Sequence, residues 1–261
     1  MSPDWDLRHR FDFQGQAVAW DRFGEGRPVV LVHGTPFSSY VWRRIGRELA
    51  RTCQVHVFDL LGYGQSEKRA GQDVSLGVQN AVFAALLDHW GLERPSVVAH
   101  DFGGATLLLV DPVAIRPWGS PFVQHVRQHE AAFAGVPDYL QRAILAAYIR
   151  GAVSRSMDDE ALAPYLAPWL GETGQPAFYR QIAQMDTAYT DAVEGLYGTL
   201  RCPVRLLWGT EDAWIPIETG RRFAAMLPDC ELTEVPGSGH LMQEDAPEAI
   251  VAAALRLFGA G

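Results

Sequence analysis

The stretch Val97-Val98-Ala99-His100-Asp101-Phe102-Gly103-Gly104 decides the fold, because an apolar strand run breaks there into a turn that carries a carboxylate. In the nucleophile elbow G-x-S-x-G, small residues permit a tight turn that pushes one side chain into the active site. Ala99, Gly103 and Gly104 are the small residues here, and Asp101 stands in the place of the nucleophile. A carboxylate nucleophile attacks carbon and leaves an ester on the enzyme, which water must then cleave. The stretch therefore predicts displacement at saturated carbon, and a buried loop Asp after an ordinary strand is the alternative.

Two further turns carry groups that this chemistry needs. The apolar run 29–32 ends in His33-Gly34-Thr35-Pro36, a turn that can aim a backbone N–H at developing negative charge. The N–H of Phe102, directly after the nucleophile, can do the same. Near the C-terminus a glycine-rich loop places His240 just past a strand, although a histidine there is by itself an ordinary turn residue. We predict an oxyanion hole made by the N–H groups of Thr35 and Phe102, with His240 as the general base.

An acid that orients this base should lie between the nucleophile and the histidine in sequence. The run 204–209 reads as a strand followed by a turn that carries carboxylates, and we predict Asp212 as the acid. Asp111, at the end of the apolar run 107–110, is the alternative acid. The order Asp, Asp, His then gives nucleophile, acid and base.

Three segments carry a resemblance to a known family. Residues 33–43 are similar to the dehalogenase segment HGNPTSSYLWR, and residues 58–68 are similar to the D-x-x-G-x-G-x-S-x-K stretch of the same enzymes. Residues 239–247 resemble their catalytic-histidine segment. The chain thus resembles the haloalkane dehalogenase and epoxide hydrolase branch of the α/β-hydrolase superfamily over nearly its whole length. The resemblance implies an α/β-hydrolase fold, with a mostly parallel central sheet flanked by helices and an inserted helical lid.

The chain departs from this family where haloalkane dehalogenases hold the leaving halide. Many members have a Trp directly after the nucleophile and an Asn in the HGNP turn, whereas this chain has Phe102 and Thr35. Both side-chain N–H donors are therefore missing. Trp118 or Trp169 from the lid is a candidate replacement, although a Trp is also commonly just packed.

Epoxide hydrolases use lid tyrosines to donate hydrogen bonds to the opening oxygen, and the segment 178–180 resembles the one that carries such a tyrosine. Tyr179 is therefore our candidate donor to the leaving group in either chemistry. A second tyrosine has no clear place, and Tyr139 and Tyr148 remain alternatives. His129 is a further candidate donor, with a solvated helix histidine as the ordinary interpretation.

The spacing between Asp101 and Asp111 is unusually short. A parallel crossover needs about a dozen residues or more, and fewer separate the runs 96–100 and 106–110. If these runs are neighbouring parallel strands, residues 102–105 are too few to connect them. Three explanations stay open: a segment missing from the chain, a true deletion, or an elbow helix over 103–110 with a shortened next strand. We favour the missing segment, because 107–111 then reads as the next strand.

Alternating strand and helix patterns predict a core of residues 1–117 and 199–261 around a helical lid of residues 118–198. In the core we expect strands at 17–23, 29–32 and 55–59 and helices at 75–90 and 247–258. In the lid we expect helical runs such as 139–153, interrupted by Pro164, Pro168 and the segment 171–174.

Composition excludes some functions and favours others. The 261 residues carry a formal net charge of −9, which argues against binding nucleic acid or an anionic membrane. The three cysteines are scattered without metal spacing, which favours free thiols in a reducing cytoplasm. We expect a cytoplasmic monomer or homodimer that acts on a small-molecule substrate without metal or organic cofactor.

The sequence thus predicts a hydrolase with an Asp nucleophile and an alkyl-ester intermediate, of the dehalogenase type. Epoxide hydrolysis is the alternative. Another α/β-hydrolase chemistry, with Asp101 as a base or positioning group, and a non-catalytic ligand-binding relative remain further hypotheses.

Overall fold

The computed structural model of the chain describes residues 5–100 and 106–259. The predicted nucleophile Asp101 and the predicted oxyanion-hole residue Phe102 lie outside the described residues.

The described residues contain one eight-stranded sheet, in the order β1-β2-β4-β3-β5-β6-β7-β8. The pairs β1–β2 and β2–β4 are antiparallel and all the other neighbours are parallel. The predicted, mostly parallel sheet is confirmed. The strands are β1 (His9–Phe13), β2 (Gln16–Phe23), β3 (Arg27–Val32), β4 (Cys53–Phe58), β5 (Ser96–His100), β6 (Thr106–Val110), β7 (Val204–Gly209) and β8 (Cys230–Val235).

Helices cover both faces of this sheet, and five of them follow one another between β6 and β7. The helices of the core are α1 (Arg43–Leu49), α2 (Leu76–Trp90), α8 (Ile217–Ala224), α9 (Met242–Asp245) and α10 (Pro247–Gly259). Those between β6 and β7 are α3 (Pro121–Ala134), α4 (Asp138–Arg150), α5 (Asp159–Leu166), α6 (Gly171–Ala183) and α7 (Ala188–Glu194).

The interruptions predicted within the helical insertion are partly wrong. Pro164 lies inside α5, and Pro168 lies in the short 3₁₀ turn Ala167–Trp169 that follows it. The segment 171–174 forms the first turn of α6 rather than a break. Gly174 is needed there because a Cβ would lie 2.7 Å from the carbonyl oxygen of Pro168.

The central strands are buried on both faces, which explains their continuous apolar runs. In β3, Val29 and Leu31 pack on the face covered by α1 and α10, and Val30 and Val32 pack on the face covered by α2. Each of these side chains is at most 3% exposed. Burial of such a side chain stabilises the fold by about 1.5–3 kcal/mol.

The strands β5 and β6 are adjacent and parallel, with Ser96 beside Thr106 and His100 beside Val110. One of the three explanations of the short spacing is therefore wrong. Residues 106–110 do not belong to an elbow helix, because β6 pairs with β5 on one side and with β7 on the other. The interpretation of 107–111 as the next strand is confirmed over residues 107–110, although only residues 101–105 separate β5 from β6 in the sequence. A missing segment and a deletion remain predictions.

Candidate active site

The polar groups predicted from the turns meet at one edge of the sheet. The strands β3, β5, β6, β7 and β8 run parallel, so their carboxyl ends lie at the same edge. His33, Asp111, Asp212 and His240 each follow one of these ends, and β5 ends at His100, the residue before Asp101 in sequence. Open α/β sheets bind their ligands at this edge.

Asp212 and His240 form a direct, buried pair. The Nδ1 of His240 lies 2.9 Å from Oδ2 of Asp212, and the two residues are 2% and 6% exposed. The other carboxylate oxygen, Oδ1, accepts the backbone N–H groups of Trp214 at 2.7 Å and Ile215 at 2.8 Å. These bonds fix the carboxylate, which in turn fixes the imidazole with Nδ1 as its donor. The Nε2 atom can then accept a proton, as a general base requires.

The alternative acid, Asp111, supports the sheet edge. Its Oδ1 accepts the N–H of Gly209 at 2.8 Å, and its backbone has a φ of 43°. Asp is one of the few residue types that adopt this left-handed conformation readily. Asp111 therefore bonds to the end of β7, directly before the turn that carries Asp212.

The loop that carries His240 is held from several sides. The N–H of Gly239 donates to Oδ2 of Asp245 at 2.8 Å, and the N–H of Leu241 donates to the carbonyl of Ala152 at 2.7 Å. Gly239 fits closely, since a Cβ there would lie 2.8 Å from that same carbonyl oxygen. The histidine is therefore tied to the chain that follows α4.

Two buried histidines support the neighbouring turns. Nε2 of His100 lies 3.1 Å from the carbonyl oxygen of His240. Burial, and secondly the nearby imidazole of His240, hold the pKa of His100 well below its usual value. Nδ1 of His33 donates to Gly34 at 3.0 Å, while Nε2 accepts the N–H of Leu60 at 2.9 Å. Burial lowers the pKa of His33 as well. Both rings are thus neutral and brace the backbone near the site.

A cavity of about 220 Å³ opens onto His240. A smaller one of about 60 Å³ adjoins it, because both are lined by Thr35, Val113, Trp118 and Met185. Among the described residues that line the two cavities there is no Asp, Glu, Lys or Arg. The arrangement suits a small, uncharged, largely apolar ligand.

Two aromatic residues beside the base were missed as primary candidates. The ring of Trp214 lies between His240, at 4.9 Å between centroids, and Tyr148, at 4.6 Å. Both Trp214 and Tyr148 line the larger cavity. Trp214 stands two residues after the predicted acid, and this closeness in sequence was the available signal. Tyr148 was only an alternative, because helical spacing does not show which face of α4 meets the cavity.

Of the main candidates for contact with the leaving group, Trp118 is the one found among the described residues that line the two cavities. Trp118 lines both cavities, but its indole N–H already donates to Thr190 at 3.1 Å. Trp169 is buried elsewhere and donates to the carbonyl of Pro36 at 2.7 Å.

Neither Tyr179 nor His129 is among the described residues that line the two cavities. The hydroxyl of Tyr179 donates to Oε1 of Gln141 at 2.6 Å, within the packed insertion, and burial raises the pKa of Tyr179 to about 12. His129 is exposed on α3 beside His125. The expectation that either residue reaches the substrate is corrected, since one is enclosed by α4 and α6 and the other faces outward.

The described residues contain no group of three or more His, Cys, Asp or Glu side chains that could hold a metal ion. Within the same part of the chain, no helix has both the length and the apolar character needed to cross a membrane.

The chain matches the alpha/beta hydrolase family over residues 29–254. A crystal structure of an alpha/beta hydrolase fold protein from Burkholderia ambifaria is 52% identical, with a TM-score of 0.93, over 97% of this chain and 98% of that one. The chain belongs to the alpha/beta hydrolase family.

Several curated relatives are named as haloalkane dehalogenases. Haloalkane dehalogenase 2 of Mycobacterium tuberculosis is 27% identical over 281 positions, covering 95% of this chain and 94% of the relative. A haloalkane dehalogenase of Bradyrhizobium diazoefficiens is 28% identical, covering 90% and 89%. Because the first alignment is longer than this chain, that relative has residues without a counterpart here. A missing segment or a deletion after Asp101 predicts such a difference.

Proposed function

We propose that this protein hydrolyses a small, uncharged organic substrate through an Asp101 ester, with haloalkanes as its substrate class. The observation that carries the proposal is the 2.9 Å bond between Nδ1 of His240 and Oδ2 of Asp212, beside a cavity that His240 lines. The sequence supplies a carboxylate directly after β5. The two relatives named as haloalkane dehalogenases support the substrate class.

The proposed reaction has two steps. A carboxylate oxygen of Asp101 attacks the carbon that bears the halogen, and the carbon–halogen electron pair leaves with the halide. Nε2 of His240 then takes a proton from water, and the resulting hydroxide attacks the ester carbonyl. The N–H groups of Thr35 and Phe102 are proposed to hold the oxyanion until the alcohol leaves and the Asp101 carboxylate is restored. The negative charge of Asp212 stabilises the imidazolium in between.

Epoxide hydrolysis is the second candidate, and the position of Tyr148 favours it. This tyrosine lines the same cavity as His240. In that reaction Asp101 opens the ring, and a tyrosine hydroxyl donates a proton to the oxygen as the carbon–oxygen bond breaks. The ester is then hydrolysed as before.

A substrate panel tests the proposal. Purified protein is supplied with short bromoalkanes, terminal epoxides, bromoacids and a nitrophenyl ester, and the release of halide, diol or nitrophenol is followed. We expect turnover of bromoalkanes but little turnover of bromoacids, because no Lys or Arg is among the described lining residues to hold a carboxylate. The variant Asp101→Ala should be inactive. Wild-type turnover in this variant would overturn the proposal, and no turnover by folded wild type would favour a binding role.

A further inference from the structure

Three polar side chains in the cavity wall form a cluster that has no role in the reaction described so far. It joins Thr35, after β3, to Tyr63, in the loop after β4, and to Gln181 of α6. Oγ1 of Thr35 lies 2.9 Å from the hydroxyl of Tyr63 and donates to Oε1 of Gln181. The hydroxyl of Tyr63 also lies 3.2 Å from that Oε1. The cluster thus links the helical insertion to the sheet edge at the junction of the two cavities.

The amide nitrogen of Gln181 is the unusual atom in this cluster. Gln181 is 3% exposed, and its Nε2 has no hydrogen-bond partner among the described residues. Burial of an amide donor without an acceptor costs free energy, and a native structure keeps such a group where something else pairs with it. Because both hydroxyl groups engage Oε1, the Nε2 end remains available to a ligand.

Two neighbouring glutamines differ from Gln181 in the hydrogen bonding of their amide nitrogens. Gln79 and Gln184 line the same small cavity. Nε2 of Gln79 donates to the carbonyl of Leu61 at 2.8 Å, and Nε2 of Gln184 donates to that of Gln72 at 3.0 Å. Of the three glutamines in this wall, Gln181 is the one whose Nε2 lacks an acceptor among the described residues.

We infer that Gln181 donates a hydrogen bond to the atom that leaves the substrate carbon. The inference rests on the proposed function and adds a residue that determines substrate choice. In the sequence, Thr35 and Phe102 stand where dehalogenases carry side-chain N–H donors, so neither residue type supplies one. The amide of Gln181 on α6 lines the smaller cavity and supplies such a donor. An uncharged donor in an uncharged cavity selects a neutral substrate whose acceptor atom is a halogen or an epoxide oxygen.

Bromide binding tests this assignment without any turnover. Trp118 and Trp214 line the larger cavity, so bromide quenching of tryptophan fluorescence reports occupancy. We expect Gln181→Met to raise the bromide Kd about tenfold or more. The matched control is Gln175→Met on the same helix, whose amide donates to the carbonyls of Ala134 and Val136. It should keep the wild-type Kd within twofold, even if its folding midpoint falls.

Turnover on the panel separates the two acceptor atoms. If wild type binds bromide and Gln181→Met does not, the leaving atom is a halide. If bromide binding is absent but Gln181→Met lowers kcat/KM on epoxides at least tenfold, the acceptor is the epoxide oxygen. Gln181→Asn, which shortens the amide, should show the same direction if the Met variant fails to fold. Unchanged bromide binding and unchanged kcat/KM in folded Gln181 variants would overturn the assignment.

The same experiments distinguish failure of the Gln181 assignment from failure of the proposed function. Bromide binding that depends on Gln181, in a protein without turnover of any panel member, would support the donor and overturn the hydrolytic proposal. Turnover that depends on Asp101 but not on Gln181 would do the reverse.

Discussion

At the scale of single residues, the charge of Asp212 is what the proposed base depends on. One carboxylate oxygen bonds to His240 and the other accepts two backbone N–H groups. Asp212→Asn keeps the shape but removes the charge and presents an N–H where an acceptor is needed. We expect kcat on a bromoalkane to fall about 10³–10⁴-fold. Asp111→Asn is the matched control and should lose far less, because Asp212 occupies Nδ1 of His240. The reverse ranking in kcat would make Asp111 the acid.

A second residue-scale prediction concerns stability at low pH. Burial lowers the pKa of His56 from 6.5 to about 4. Between these pH values His56 is therefore mostly neutral in the folded protein and mostly protonated in the unfolded chain. The unfolded state therefore binds more protons between these pH values, and the free energy of unfolding falls as pH falls through this range. We expect wild type to lose on the order of 1–2 kcal/mol more than His56→Gln between pH 7 and pH 4.5. Urea unfolding at both pH values measures this difference.

The matched control for that experiment is the exposed His129. His129→Gln should follow the wild-type pH dependence. Equal pH dependence in wild type and His56→Gln would contradict the assignment of a neutral His56.

At the scale of elements, Asp245 joins the loop of the base to the helical insertion. Its carboxylate accepts the N–H groups of Ser154 and Gly239, each at 2.8 Å, and of Arg155 at 3.1 Å. Asp245→Ala removes the acceptor of all three donors, of which the N–H of Gly239 is buried, so we expect a loss of about 1–3 kcal/mol in the free energy of unfolding. Activity should fall as well, because Gly239 directly precedes His240.

Asp159 provides the control for this change, since its side chain is 96% exposed and pairs only with Arg150 among the described contacts. Asp159→Ala should alter neither the unfolding midpoint nor kcat appreciably. An Asp245→Ala protein as stable as Asp159→Ala would contradict the role given to this carboxylate.

The sequence predicts elements well where one local signal dominates. The helix expected at 75–90 is α2, which ends before Gly91 with a φ of 68°, a conformation that glycine adopts without strain. The final helix expected at 247–258 is α10. The strand β1 was missed, because its exposed edge position leaves no continuous apolar run in the sequence.

At the scale of the whole molecule, one part of the candidate site could be predicted from the sequence and another part could not. Asp212 and His240 could be predicted because each follows a parallel strand, and parallel strands bring their ends together. The inward-facing residues of the insertion could not, because the packing of α4 and α6 decides whether Tyr148, Tyr179 or Gln181 meets the cavity. The hydroxyl of Tyr179 donates to Gln141 within the insertion, whereas Gln181 lines the smaller cavity.

The measurement that tests the central claim most directly is the intact mass of His240→Gln after incubation with a bromoalkane that the wild type hydrolyses. Without its base, the variant should form the ester but not cleave it. We predict a mass increase of one alkyl group less one hydrogen, located on Asp101 by peptide mapping, and no increase in Asp101→Ala/His240→Gln. An unmodified, folded His240→Gln protein, or an adduct on another residue, would contradict the account.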